Sequence, residues 1–403
     1  MASTSIHSAS ADATAGLSIT GLLVHLSTVS PDVLEPTLSN LAAAFPDQSV
    51  SIALPESADL ESIPSSQNLR LLPYTPAAAP SPVSWVLTAA DYLNTYKLAQ
   101  EHNASACLLL GVDSHTLPPE SIRALADTVL SPSTDLAVSH YHPGAREGLV
   151  NSAFLYPLSR ALFGAKPRFP LAIDLGISIR MAERLAAAAQ RFTAANQNDA
   201  MLWPVSEAAV AGFVIQESDV PTRSFPQPVA ADLNTLLNQI LSSFFAEIDT
   251  RAAFWQRMRT TSPRPEVPSA PSSREPLDIT PMLQSFHLAY TNLHEIWALV
   301  LPPHTLLGLK HLSLMPQESF RMPDNLWVRI VYDFVLAYRL RTINRGHLLG
   351  ALTPLYLAWL ASHLLLIQSG TSSERHIEEI AQAFETDKPY FVSRWRWPDR
   401  FNP

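Results

Sequence analysis

Cysteine is nearly absent from this chain, charged residues are scarce, and the sequence contains no internal repeat. Cys107 is the only cysteine among 403 residues, so no disulfide can form within the chain. It lies in an apolar run, which favours a packing role over a nucleophilic one. Charged residues make up 16% of the sequence and the net charge is −9, which argues against a general nucleic-acid-binding protein.

The N-terminal residues lack the features of a signal peptide. Residues 1–16 are rich in Ser, Ala and Thr, and the first fifteen contain no Lys or Arg and no long apolar run. We therefore expect residues 1–16 to form a disordered N-terminal segment. We also expect the protein to be located in the reducing cytoplasm.

Hydrophobic residues are plentiful at 47%, and a chain of this length can form two domains with large cores. Apolar strands alternate with amphipathic helices over residues 17–260, which predicts βαβ units and a mostly parallel sheet. Residues 261–276 hold five prolines and almost nothing apolar, as is typical of a linker. Residues 277–403 have helical periodicity, so we expect an all-α C-terminal domain.

The periodicity also predicts individual elements. The predicted strands are 19–26, 50–54, 69–72, 106–110 and 135–139, and the predicted helices are 31–44, 85–102, 120–130, 282–300, 326–341, 347–368 and 374–384. Residues 348–367 carry no Lys, Arg, Asp or Glu and nearly reach the length of a membrane span. We interpret them as a buried helix rather than a span, with Thr353 capping a first turn that contains Pro354.

A candidate metal site follows the strand 106–110. Five apolar residues indicate a strand buried on both faces, and ligands in α/β sheets bind beyond the carboxyl ends of such strands. Asp113 and His115 stand there, one residue apart, where a bound cation would neutralise a diphosphate. His suits Mn²⁺ or Zn²⁺ better than Mg²⁺. The alternative is that Asp113 only caps the following turn.

Longer motifs carry a family resemblance. They lie in residues 141–148 (YHPGAREG), 156–164 (YPLSRALFG), 169–178 (FPLAIDLGIS), 331–338 (VYDFVLAY) and 347–357 (HLLGALTPLYL). In this order they resemble a bacterial GT-A glycosyltransferase family that includes the retaining glucosylglycerate and mannosylglycerate synthases. The resemblance implies a Rossmann-like nucleotide-sugar domain with a helical C-terminal domain. It also implies transfer of a hexose, with retention, from a nucleotide diphosphate sugar to a small carboxylate such as D-glycerate, with Mn²⁺ or Mg²⁺ as cofactor.

The resemblance assigns catalytic and metal-binding roles. Asp113 and His115 match the position that holds metal and donor diphosphate. Asp174 matches an acidic residue near the donor sugar, and Asp199 lies near a second acidic position. For Asp174 the alternative interpretation is an acid that favours the N-terminus of a helix running to about Ala189.

Substrate-contacting residues are predicted on both sides of the site. Arg146 and Asn151 belong to the segment that faces the acceptor in the family, and a guanidinium suits a carboxylate. A solvated loop arginine is the alternative for Arg146. On the donor side, Ser27 ends the first strand and Glu56 follows the second, so both are candidates for nucleotide contact.

Four positions depart from the family pattern, all on the donor side. His115 replaces an acid, Ala172 and Ile173 replace two glycines, and Arg223 stands where relatives carry a metal-ligating histidine. Arg223 cannot ligate a cation, but it carries a charge that can neutralise phosphate. The second hypothesis is therefore a catalytically weakened GT-A scaffold that binds a nucleotide sugar or a protein partner without turnover. A homo-oligomer and the identity of the donor base stay open.

Overall fold

The chain forms one seven-stranded sheet with helices on both faces and further helices packed against it. The computed structural model describes residues 18–27, 31–56, 67–76, 86–144, 147–171, 173–221, 223–225, 232–258 and 278–398. The predicted lead (1–16) and linker (261–276) lie outside the described residues. The predicted domain boundaries stay predictions.

The sheet is mostly parallel, as the sequence predicts. Its strands are β1 (Ser18–Leu26), β2 (Gln48–Pro55), β3 (Leu69–Tyr74), β4 (Ala106–Leu110), β5 (Leu136–Tyr141), β6 (Asp174–Ser178) and β7 (Ile215–Val220). Their order is β3-β2-β1-β4-β6-β5-β7. All neighbouring strands pair in parallel except β6, which runs antiparallel to both β4 and β5.

The reversed direction of β6 positions the site. Leu110, the last residue of β4, pairs with Asp174, the first residue of β6. Asp174 therefore lies at the edge where the parallel strands end, rather than at a helix N-terminus. The helix expected to follow Asp174 directly begins only at Ile179, where the Ser178 hydroxyl accepts a hydrogen bond from the Met181 N–H and caps it.

Helices cover both faces. Those of the described residues are α1 (Pro31–Ala44), α2 (Ala89–Glu101), α3 (Pro119–Leu130), α4 (Tyr156–Leu158), α5 (Ile179–Thr193), α6 (Pro204–Ala211), α7 (Leu233–Thr250), α8 (Ala252–Trp255), α9 (Thr280–Asn292), α10 (His294–Ala298), α11 (Pro303–Ser313), α12 (Asp324–Leu340), α13 (Arg345–Gln368) and α14 (Ser373–Arg396). α4 is the middle of a continuous helix whose flanking turns, Asn151–Leu155 and Ser159–Phe163, have π-type hydrogen bonds.

Strand alternation separates two cores. Leu22, Val24 and Leu26 pack with α1 and α3 on one face of the sheet. Leu23 and Cys107 face α2 and α5, in the core that continues into the C-terminal helices. Burial raises the pKa of the Cys107 thiol to about 12 and keeps it protonated, which agrees with a packing role.

The C-terminal helices dock on the helix 151–163. The Trp327 indole N–H donates to the carbonyl of Ala153 (3.0 Å), and the Trp327 ring contacts Phe154 edge to face. Arg160 is almost fully buried and pairs with Glu378 (2.5 Å) and Glu385 (3.1 Å) on α14. Apolar area and paired charges together join this region to the sheet.

α13 is the apolar helix that the sequence predicts to be buried, and this is confirmed. Among the described residues it is the one helix long and apolar enough to cross a membrane, and 78% of its most apolar window is buried. The predicted cap at Thr353, with Pro354 in the first turn, was wrong. The helix begins at Arg345, capped by the Asn344 side chain, and Pro354 lies in its interior. The Thr353 hydroxyl instead donates to Asn234 on α7 (2.8 Å).

Candidate functional site

Three predicted donor-side residues follow strands that end at the same edge of the sheet. Ser27 follows β1 and is buried, with its N–H donating to the Leu110 carbonyl (3.3 Å). Glu56 follows β2, is exposed, and accepts a hydrogen bond from the Thr75 hydroxyl (2.9 Å). Asp113 lies beyond β4 and is half-buried. The parallel pairing of β2, β1 and β4 therefore brings these three positions to one edge.

Asp174 is fully buried at this edge and has hydrogen-bond partners on both oxygens. Its Oδ1 accepts from the Gly111 N–H (3.1 Å) and its Oδ2 from the Tyr141 hydroxyl (3.0 Å). Burial, and then the charge of Asp174, raise the pKa of Tyr141 well above its ordinary value, so its hydroxyl stays protonated as a donor.

Arg223 neutralises this buried carboxylate. Its Nε donates to Oδ2 of Asp174 (2.8 Å) and its Nη2 to Oδ1 (3.2 Å), a two-point pair in which both side chains are fully enclosed. Burial opposes the charge of Arg223, but the Asp174 carboxylate outweighs it and raises the pKa of the guanidinium. The Arg223 guanidinium therefore stays charged beside the Asp174 carboxylate.

The same guanidinium fixes the turn after β4. Nη2 donates to the carbonyl of Val112 (2.6 Å), and Nη1 donates to the carbonyl of Asp113 (2.6 Å), the Thr116 hydroxyl (3.0 Å) and the carbonyl of Ser224 (3.0 Å). All three nitrogens of Arg223 thus serve as donors to the protein. To contact a phosphate, Arg223 would have to give up one of these bonds.

The turn that carries Asp113 and His115 is held from two sides. Asp113 has a left-handed backbone (φ 60°), a conformation that Asp tolerates better than most residues. On the side opposite Arg223, the Asn40 amide donates to the carbonyls of His115 (2.9 Å) and Leu117 (3.1 Å). The Asp113 carboxylate is accordingly presented at a fixed place on the edge of the sheet.

The described residues do not fit a divalent metal at this edge. Within them, no group of three or more His, Cys, Asp or Glu side chains is arranged to hold one. Both oxygens of Asp174 are engaged, and Arg223 already supplies a positive charge beside them. Nδ1 of His115, a buried nitrogen with no hydrogen-bond partner, and the Asp113 carboxylate together fall short of the six ligands that such ions prefer.

Ile173 occupies space that Gly111 leaves free. A β-carbon on Gly111 would lie 2.6 Å from the Ile173 carbonyl oxygen and 2.9 Å from its Cγ2. Ile173 itself is buried against Tyr141 and Phe169 in the core below the site. Ile173, which stands where the family has a glycine, therefore lies opposite a glycine at position 111. Ala172 lies outside the described residues.

A second polar cluster, the β5–β7 cluster, lies on the C-terminal parts of β5 and β7 and was not predicted as a unit. His140 contacts Glu217 (3.2 Å) and His142 contacts Asp219 (2.5 Å) across the two strands. The hydrogen bond to Glu217 raises the pKa of His140. Alternation of side chains turns Tyr141 to the Asp174 face and its two histidine neighbours to the opposite face.

Arg168 joins this cluster to the C-terminal helices. Its N–H donates to Glu217 (2.7 Å), and its guanidinium pairs with Glu374 at the start of α14 (3.1 Å). Its carbonyl accepts from the amide of Asn151 (2.7 Å), which places that predicted acceptor residue beside the cluster. Arg146 lies outside the described residues. Sequence reasoning missed Arg168 as a functional residue, because its partners are 49 and 206 residues away along the chain.

Asp199 lies among a different set of residues from Asp174. It is exposed and lines a surface cleft with Phe192 and Gln239. The adjacent Ala200 carbonyl accepts from the Ala89 N–H (2.9 Å) at the start of α2. Its catalytic role therefore stays a prediction.

Comparisons with known proteins give weak similarity to solved structures. No protein-family model matches the chain, and no curated protein matches it significantly. A solved mycobacterial protein matches at 14% identity over 58% of this chain and 75% of its own, with a TM-score of 0.37. Glucosyl-3-phosphoglycerate synthase from Mycobacterium tuberculosis matches in two complexes. The complex with Mn²⁺, UDP-glucose and phosphoglyceric acid has 15% identity, coverage of 59% and 80%, and a TM-score of 0.36. The complex with phosphoglyceric acid has 13% identity, the same coverage and a TM-score of 0.33. Values this low carry no inference about activity.

Proposed function

We propose that this protein is a GT-A-type glycosyltransferase that moves a hexose from a nucleotide diphosphate sugar to a small acid such as D-glycerate, with retention. The observation that carries the proposal is the meeting of Asp113 and the buried Asp174 at the carboxyl edge of the sheet, beside Ser27 and Glu56. Both acids belong to the motifs that resemble the family. Topology thus brings segments that are more than sixty residues apart to one edge of the sheet.

On the donor side, we assign the contact with the donor to the Asp113 carboxylate. Asp113 is half-buried, its backbone is fixed by Arg223, and its carboxylate accepts hydrogen bonds from hydroxyl groups of a ribose or hexose. The paired side chains of Asp174 and Arg223 form a rigid part of the site in which their opposite charges balance. Preorganised polar groups of this kind stabilise a transition state without rearranging during the reaction.

On the acceptor side, the β5–β7 cluster contains basic side chains that suit an anionic acceptor, which would displace a carboxylate from one of the existing pairs: His140–Glu217, His142–Asp219 or Arg168–Glu374. His140 carries a raised pKa, and the Arg168 guanidinium lies next to it in the same cluster. Asn151 is fixed beside them through the Arg168 carbonyl. With retention, the departing phosphate oxygen itself takes the proton of the acceptor hydroxyl, so the proposal needs no separate base.

The test compares ligand binding with turnover. Apparent stability of the purified protein is measured with UDP-, GDP- and ADP-hexoses, and product formation with D-glycerate is followed by mass spectrometry. A ligand at a hundredfold excess over its Kd raises the free energy of unfolding by about 2.7 kcal/mol. We expect Asp113→Ala to abolish the shift and the product. Asp127→Ala, an exposed aspartate on α3, is the matched control and retains both. No shift with any donor would refute the proposal.

The second candidate is a scaffold that binds a nucleotide sugar without turnover. The pairing of Asp174 with Arg223 favours it, because a carboxylate with both oxygens engaged is less available to a donor sugar. A stability shift with one donor, together with no transfer and no hydrolysis under any acceptor, would select this candidate. Product formation would exclude it.

A further inference from the structure

The hydrogen-bond acceptors of the Arg223 guanidinium are all oxygen atoms. Its acceptors are both oxygens of Asp174, the carbonyls of Val112, Asp113 and Ser224, and the Thr116 hydroxyl, all at 2.6–3.2 Å. One carboxylate, three carbonyls and a hydroxyl are the ligand types that hard divalent cations take up. We call these six oxygen atoms, which accept hydrogen bonds from Arg223 at the edge of the sheet, the oxygen cage.

We propose that the Arg223 guanidinium takes the place of a divalent cation in this cage, so that ligand binding at the edge requires no Mn²⁺ or Mg²⁺. The identity of that ligand, a nucleotide diphosphate sugar, rests on the proposed function. The inference that Arg223 fills the cage does not depend on the proposed function.

Charge and geometry both support the substitution. Asp174 is the one carboxylate of the cage, and the positive charge of Arg223 balances it. A cation that entered beside Arg223 would meet a like charge in an enclosed place, where screening by water is weak. The planar fork of a guanidinium also reaches two carbonyls and a carboxylate at once, which the single ammonium of a lysine does not.

A purely structural ion pair makes a different prediction from a cation position. If the pair only stabilises the fold, removing Arg223 leaves an unpaired buried acid with no special affinity for metal. If the cage is a cation position, removing Arg223 opens it to Mn²⁺.

The experiment measures free Mn²⁺ by electron paramagnetic resonance during titration of the wild type, Arg223→Ala and the double variant Arg223→Ala/Asp174→Asn. We expect no tight binding by the wild type, and binding by Arg223→Ala that is at least about tenfold tighter and is lost in the double variant. Arg180→Ala is the matched control, because it removes a guanidinium from another buried acid, Asp135, and should gain no Mn²⁺ affinity.

Two results would overturn the proposal: tight Mn²⁺ binding by the wild type that Asp113→Ala abolishes, or a folded Arg223→Ala that gains no affinity. Circular dichroism establishes folding, and Arg223→Gln, which keeps most of the side-chain volume, replaces Arg223→Ala if the latter unfolds. A second arm measures the stability shift by nucleotide sugar with EDTA. An equal shift with and without EDTA supports the proposal, and a shift that EDTA abolishes overturns it. If no donor binds at all, the proposed function fails, while the Mn²⁺ titration still decides this inference.

Discussion

Removing the Arg223–Asp174 pair tests how the site is held together. The substitution Arg223→Ala leaves the Asp174 carboxylate fully buried with only the Gly111 and Tyr141 donors, and it frees the carbonyls of Val112 and Asp113. Breaking a buried ion pair from one side costs ~3–5 kcal/mol, because the remaining charge has no compensation. Both side chains are fully enclosed, so we expect a loss of unfolding free energy in this range rather than the ~1 kcal/mol of an exposed pair.

The double variant distinguishes the effect of the unpaired Asp174 charge from the effect of losing the Arg223 side-chain volume. Arg223→Ala/Asp174→Asn removes the unpaired charge, so its loss should be smaller than the sum of the two single losses by about 2 kcal/mol or more.

Urea unfolding followed by tryptophan fluorescence measures these quantities. Arg180→Ala, whose guanidinium is mostly exposed, serves as the comparison and should lose far less. A loss below about 1 kcal/mol for Arg223→Ala, or strict additivity of the two single variants, would refute the reasoning.

Three further perturbations probe the frame of the site. Gly111→Ala should lose about 1–3 kcal/mol because its β-carbon meets the rigid Ile173 carbonyl at 2.6 Å, whereas Gly350→Ala, with neighbours at 3.9 Å, should lose nothing in the same urea assay. Burial raises the pKa of Asp91 to about 6, so the folded state keeps a proton that the unfolded state releases; stability should fall by about 2 kcal/mol from pH 4 to pH 6, and Asp91→Asn should flatten that profile in thermal melts. Glu378→Ala leaves the buried Arg160 with Glu385 alone and should cost ~3–5 kcal/mol, seen as faster proteolysis of α14; unchanged proteolysis would contradict the role given to this pair.

The sequence predicts five of the seven described strands and misses β6 and β7. β4 is a run of five apolar residues and was placed residue for residue. β7 alternates exposed polar and buried residues at the sheet edge, and β6 begins with a charged residue. Their strand character comes from pairing with β5 and β4, which no local pattern contains.

The candidate site divides in the same way. Asp113 and Asp174 lie in recognisable motifs at strand ends, so their positions could be predicted. The partner of Asp174 could not, because Arg223 follows it by 49 residues and reaches it only through the return of the chain along β7. Arg168 likewise depends on contacts with α14 that are set by tertiary packing.

The departures from the family pattern are matched by neighbours in the fold. Ile173 faces a glycine at position 111 that leaves it room, and Arg223 satisfies an acid, two carbonyls and a hydroxyl at once. A site that had merely decayed would leave Asp174 buried without a counter-charge, at a cost of several kcal/mol that the fold could scarcely tolerate. The matched substitutions therefore argue that this edge has been kept as a working surface in which a fixed guanidinium does the task of an ion. Whether the surface then turns its ligand over depends on Asp113, whose side chain is partly exposed at this edge.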